Sequence, residues 1–285
     1  MTQITRRDFM AISVAAGLGG VPLGAAAGDR AVVESDIGID TPDGRCDAAL
    51  LHPAEGRHAG VLFWTDALGL RPAMRAMARR LAAEGYVVLV PNPYYRNEPA
   101  PVVDSANFDF ARPDDRSRIM ALMGTLAEDE RVRRDARAFV EYLDRHPGVD
   151  TARKLGTQGY CMGGRLVFLT AATLPERIGA GASFHGGGLV TDNPGSPHRL
   201  LPLIRAELYV AVATDDDSAD PTAKDALRTA MRQAGVAGEV ELYPEALHGW
   251  CVPDMPARKG QPVYNAPEAE RAWARLLALY RQTLA

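Results

Sequence analysis

Short apolar runs constrain this chain more than any other feature. "GVLFWT" (60–65), "YVVLVP" (86–91) and "ELYVAVA" (207–213) are apolar at nearly every position rather than at every second one. That pattern belongs to strands covered on both faces, as in a parallel sheet. Further strand candidates lie at 32–39, 46–51, 154–159, 179–184 and 239–243. Between them fall stretches with helical periodicity, at 71–84, 127–146, 164–174, 220–234 and 267–283. Strands alternating with helices predict βαβ units, hence an α/β fold with a mostly parallel central sheet of about eight strands and helices on both faces. The first two strands have no helix between them, so that edge is expected to be antiparallel. A chain of 285 residues suits one such domain.

The first residues read differently. Arg6 and Arg7 precede Phe9, an Ala/Gly-rich apolar run follows, and small residues end it at Ala25–Ala27. This is the layout of a twin-arginine-type signal peptide over residues 1–27, leaving 28–285 as the folded domain. It implies a periplasmic or secreted protein. No later run is long and apolar enough for a membrane span. The net charge of −4 offers no footprint for nucleic acid. The three cysteines, Cys46, Cys161 and Cys251, leave at least one unpaired in an oxidising space. Either all three are thiols, or Cys46 pairs with Cys251. No Cys/His set has metal-ligand spacing, so neither metal nor cofactor is expected. A monomer or dimer acting on a small molecule is the expected state.

The chemistry centres on "KLGTQGYCMGG" (154–164): a strand, a sharp turn and a helix start, with Cys161 inside a Gly-x-Cys-x-Gly pattern. A nucleophile held in such a turn needs small neighbours, and Gly159 and Gly163 supply them. The helix N-terminus favours an anion there. A glycine turn around a buried cysteine is the plainer alternative. "ATDDDSADP" delivers Asp215, Asp216 and Asp217 at a strand end, where one can orient a histidine or all can cap the next helix. "LHGW" presents His248 after the last strand. Nucleophile, acid and histidine in that order match the α/β-hydrolase arrangement. The oxyanion donors would then be the amides of Met162 and of Ala67, the latter in the turn after "GVLFWTDALG".

"GYCMGG", the late aspartate and "LHGW", with "WTDALGLRPAMRAMARRLAAEGYVVLVPNPYYR" upstream, together resemble the dienelactone hydrolase (carboxymethylenebutenolidase) family from about residue 45 to the C-terminus. The resemblance implies a Cys161–His248–Asp216 triad that opens a lactone or ester through an acyl-thioester. It makes Asp66 the counterpart of a family glutamate that holds the resting thiol and helps activate it. It matches Arg96 to one of two arginines that clamp a substrate carboxylate. The second falls at Val252, which leaves Arg258 as a substitute from the loop. His185 in "ASFHGGGL", Tyr95 of the "YY" pair and Trp250 are the further substrate-binding candidates. The irregular segment 93–126 is expected to be a lid, a substrate wall or a surface excursion. Two other readings stand beside this one: a broad carboxylesterase or thioesterase with the same triad, and a non-hydrolytic thiol redox or binding protein.

Overall fold

The computed structural model describes residues 30–285. The expected export segment, 1–27, lies outside them. Eight strands form one sheet: β1 (Val32–Thr41), β2 (Gly44–Pro53), β3 (Gly60–Trp64), β4 (Val87–Pro91), β5 (Leu155–Tyr160), β6 (Ile178–Phe184), β7 (Glu207–Ala213) and β8 (Gly238–Tyr243). Their spatial order is β1-β2-β4-β3-β5-β6-β7-β8. β1 and β2 are an antiparallel hairpin, and β2 also runs antiparallel to β4. All later pairings are parallel. This is the eight-stranded α/β-hydrolase fold, with the antiparallel edge where a helix was missing between strands.

β3, β4 and β5 are buried at every position, because helices cover both faces of the sheet. One face packs against α3 (Asp129–Arg145) and α4 (Met162–Thr173), the other against α1 (Pro72–Ala83) and α7 (Ala266–Thr283). Cys46 belongs to the first core and Cys251 to the second. The sheet stands between them, and all three thiols are free.

Three elements depart from the expected pattern. Segment 93–126 contains a helix, α2 (Pro113–Gly124), whose start signals are Pro113 at its first position and Asp114 and Asp115 in its first turn. The aspartates 215–217 do not cap the following helix. They lie inside a short one of their own, α5 (Thr214–Ala219), ahead of α6 (Ala223–Ala234). A 3₁₀ helix, Pro197–Leu203, completes the crossover between β6 and β7. No described helix is long and apolar enough to cross a membrane.

Candidate active site

Cys161 occupies the turn between β5 and α4 with φ 53° and ψ −117°. A side chain in that region is strained by about 1–3 kcal/mol and persists only where the surroundings enforce it. The enforcement is visible at the two glycines. A Cβ on Gly159 would lie 2.2 Å from the Gly163 carbonyl oxygen, and one on Gly163 would lie 2.5 Å from the Thr65 carbonyl oxygen. β5, α4 and the end of β3 therefore approach too closely for any side chain there. The Cys161 amide points inward, donating to the Phe184 carbonyl and to His185 Nδ1, each at 3.0 Å.

The three aspartates take three different partners. Asp216 accepts from His248 Nδ1, with both oxygens at 2.9 Å. Asp215 accepts the His248 backbone amide at 2.8 Å and pairs with Arg258. Asp217 pairs with Lys224 at 2.7 Å. One aspartate thus fixes the His248 ring and its neighbour fixes the His248 loop. Burial works against charge on His248, but the hydrogen bonds that its ring donates to Asp216 and Cys161 outweigh it, and the pKa is pushed up to about 11. The imidazole sits between a carboxylate and the thiol as a stabilised cation.

A cavity of about 670 Å³ opens over Cys161 and His248. Its polar floor also includes Asp66, Ala67, Asp215 and Asp216. The Ala67 amide meets no acceptor among the described residues, and Met162, first in α4, has an amide that no intrahelical carbonyl can reach. Tyr94, buried and unpredicted as a site residue, links these two positions. Its hydroxyl donates to the Ala67 carbonyl at 2.8 Å and contacts the Met162 sulfur at 3.2 Å.

Several expected site residues have other roles. Asp66 lines the cavity, but both its oxygens are taken by Arg71 at 2.7 and 2.9 Å, and one also accepts the Leu68 amide. Arg71 bonds Asp254 through its other edge at 2.7 and 2.9 Å. With Arg71 and Asp66 each 1% exposed, this is a buried clamp between loop 66–69 and the loop after His248, not a base free to deprotonate the thiol. Burial opposes the Arg71 charge, yet Asp66 and Asp254 hold it firmly protonated. Arg96 is also occupied. It bonds Asp135 on the buried face of α3 and Asp43 in the β1–β2 turn, away from the cavity. The Tyr95 hydroxyl bonds Thr41 and Asp135. Neither residue lines the cavity over Cys161, because the buried Asp135 carboxylate holds both.

His185 and Trp250 lie behind the site. His185 is fully buried at φ 42°, with its ring 4.9 Å from His248 and 5.2 Å from Trp250. Burial and the neighbouring His248 cation push its pKa well below the usual value. Because Nδ1 accepts from the Cys161 amide, the ring is neutral with its proton on Nε2. Trp250 stacks on Tyr243 at 4.9 Å. Segment 93–126, for which a substrate wall was one expectation, supplies the cavity's apolar wall through Phe110, Ile119, Met120 and Met123 around α2, joined by Met255 and Val263 from the loop after His248, none of which was singled out from the sequence. Among the described residues, no group of three or more His, Cys, Asp or Glu could hold a metal ion.

The model of the family described as "Dienelactone hydrolase family" matches residues 46–284. A protein of Methylorubrum extorquens named "Putative carboxymethylenebutenolidase" is 28% identical over 292 residues, covering 99% of this chain and 94% of the relative. An Escherichia coli K12 protein of the same name is 25% identical over 262 residues, covering 89% of each. Among solved structures, the dienelactone hydrolase-like promiscuous phosphotriesterase P91 from metagenomic libraries superposes with a TM-score of 0.70 at 25% identity. That match covers 88% of this chain and 99% of P91.

Proposed function

The chain belongs to the dienelactone hydrolase family, and we propose that it hydrolyses a carboxylic ester or lactone through Cys161, His248 and Asp216. The observation that carries this reading is the placement of His248. Its ring lies between the Asp216 carboxylate and the thiol of a cysteine held at a strained strand–helix turn.

The steps follow from that geometry. The Cys161 thiolate, facing the His248 cation, attacks the acyl carbon. The carbonyl oxygen becomes an oxyanion that accepts hydrogen bonds from the Ala67 and Met162 amides, which Tyr94 holds together. As the tetrahedral species collapses, the C–O bond to the alcohol breaks and His248 gives its proton to the leaving oxygen. An acyl-thioester on Cys161 remains. Water then loses a proton to His248 and adds to the thioester. Collapse breaks the C–S bond, releases the acid and restores the thiolate–imidazolium pair. Asp216 keeps the ring oriented and favours its charged form in both halves. Arg71 holds Asp66 and its loop in place throughout.

Purified protein offered p-nitrophenyl acetate and a dienelactone tests the reading. Turnover of at least one, lost in Cys161→Ala, is expected. No turnover of either, with Cys161 still readily alkylated, would favour a thiol redox or binding protein instead. Export of the chain with cleavage after Ala27 is part of the proposal. A mature N-terminus at Gly28, read by sequencing the secreted protein, is the expected result.

A further inference from the structure

The wall of the cavity opposite the catalytic floor is apolar, and the arginine expected to hold a substrate carboxylate is occupied elsewhere. From these two observations we propose that the site selects neutral esters carrying an apolar chain of about four to eight carbons, with Ile119, Met120 and Met123 of α2 as the specificity-determining residues. The inference rests on the hydrolase reading above and concerns which ester that site takes.

Leu68, Phe110, Ile119, Met120, Met123 and Met255 line the cavity beside Cys161. On α2, positions 119, 120 and 123 fall on one helical face. Phe110 and Met120 are 43% and 58% exposed, two of the four exposed large hydrophobic residues among those described. Apolar surface kept open to water beside a nucleophile is a wall awaiting an apolar arm. Ile119 and Leu122 anchor α2 in the core, with Met123 packed against it, while Met120 stays exposed on the cavity side.

The charged groups point the same way. Arg96, the match for a carboxylate clamp, is committed to Asp135 and Asp43, and Val252 is buried where a second clamp would lie. Arg258 is paired with Asp215. Arg116 and Lys259 line the cavity only at its exposed rim, with Asp109 on the same wall. An exposed cation discriminates weakly, by no more than a few-fold. Each methylene buried against an apolar wall is worth up to about fourfold. Several buried methylenes therefore outweigh the rim charges.

The test measures kcat/KM for p-nitrophenyl acetate, butyrate, hexanoate and octanoate, and for acetate esters of alcohols from ethanol to octanol. A third arm uses p-nitrophenyl esters of equal length ending in a carboxylate. The expected result is a rise of about tenfold or more along at least one neutral series. The carboxylate-ended ester should be slower than its neutral counterpart. In Met123→Gln, and separately in the surface variant Met120→Gln, the long-to-short ratio should fall several-fold. Flat profiles in both neutral series, or a tenfold preference for the carboxylate-ended ester, would overturn the selectivity while leaving the hydrolase intact. No turnover of any ester would overturn both readings.

Discussion

The elbow at Cys161 and the α2 wall face each other across one cavity and are built in opposite ways. At the elbow, three backbone segments meet so closely that Gly159 and Gly163 admit no Cβ, and the cysteine is held in a strained conformation by β5, α4 and His185. The wall is a two-sided apolar helix with Met120 in solvent, and a Cβ on its last residue, Gly124, would meet nothing within 4 Å. The difference separates two tasks. Chemistry needs atoms placed to within a fraction of an ångström, so it sits on the most overdetermined backbone in the molecule. Choosing a substrate tolerates, and benefits from, a surface that yields.

Predictions that break or sharpen this contrast can be ranked by size. Cys161→Gly should reduce kcat/KM by at least about 10³-fold. It should also leave the fold at least as stable, since glycine adopts φ 53° without strain, a gain of about 1 kcal/mol in denaturant unfolding. Asp216→Asn should cost about 10²- to 10⁴-fold in kcat. It should also lower the His248 titration, followed by imidazole NMR, from about 11 toward the ordinary value. The sign for stability follows from a raised histidine. The His248 pairing stabilises the fold fully below the unfolded value of about 6.5. That contribution fades as pH rises toward about 11, and Asp216→Asn should flatten the dependence. Arg71→Met strands the buried Asp66 carboxylate and should destabilise by about 3–5 kcal/mol. Gly159→Ala should cost about 3 kcal/mol, with a matching fall in Tm. Gly124→Ala, the same change on the wall, should be neutral or stabilising by up to about 1 kcal/mol.

The same contrast explains what could be read from the residues alone. The sheet was legible because strands buried on both faces write continuous apolar runs. The elbow was legible because its glycines are demanded by local backbone contact. His248 and the Asp215–Asp217 cluster were legible as residues at strand ends, but the residues alone left the choice among the three aspartates open, and only the family resemblance singled out Asp216. It depends on how the short α5 helix aims each carboxylate, which the three identical letters cannot encode. The misplacements have one cause. Arg96 and Tyr95 lie in the right loop, but Asp135, an acid on the buried face of a helix some forty residues later, captures both. Asp66 sits where an activating carboxylate was expected, and Arg71, only five residues on, neutralises it. Pairing of this kind, near or far along the chain, leaves no periodic trace. α2 went unseen as a helix although Pro113 and two acidic residues mark its start, because its few apolar residues are split between the core, at Ile119 and Leu122, and the cavity, at Met120 and Met123.

The most direct test of the central claim is acyl trapping on Cys161. The protein is mixed with excess p-nitrophenyl hexanoate, quenched in acid within the first turnovers, digested and examined by mass spectrometry. The account predicts a hexanoyl adduct on the peptide containing Cys161, absent from peptides containing Cys46 or Cys251 and lost on hydroxylamine treatment. Continued ester turnover by Cys161→Ala, with no adduct on that peptide in the unaltered protein, would contradict it.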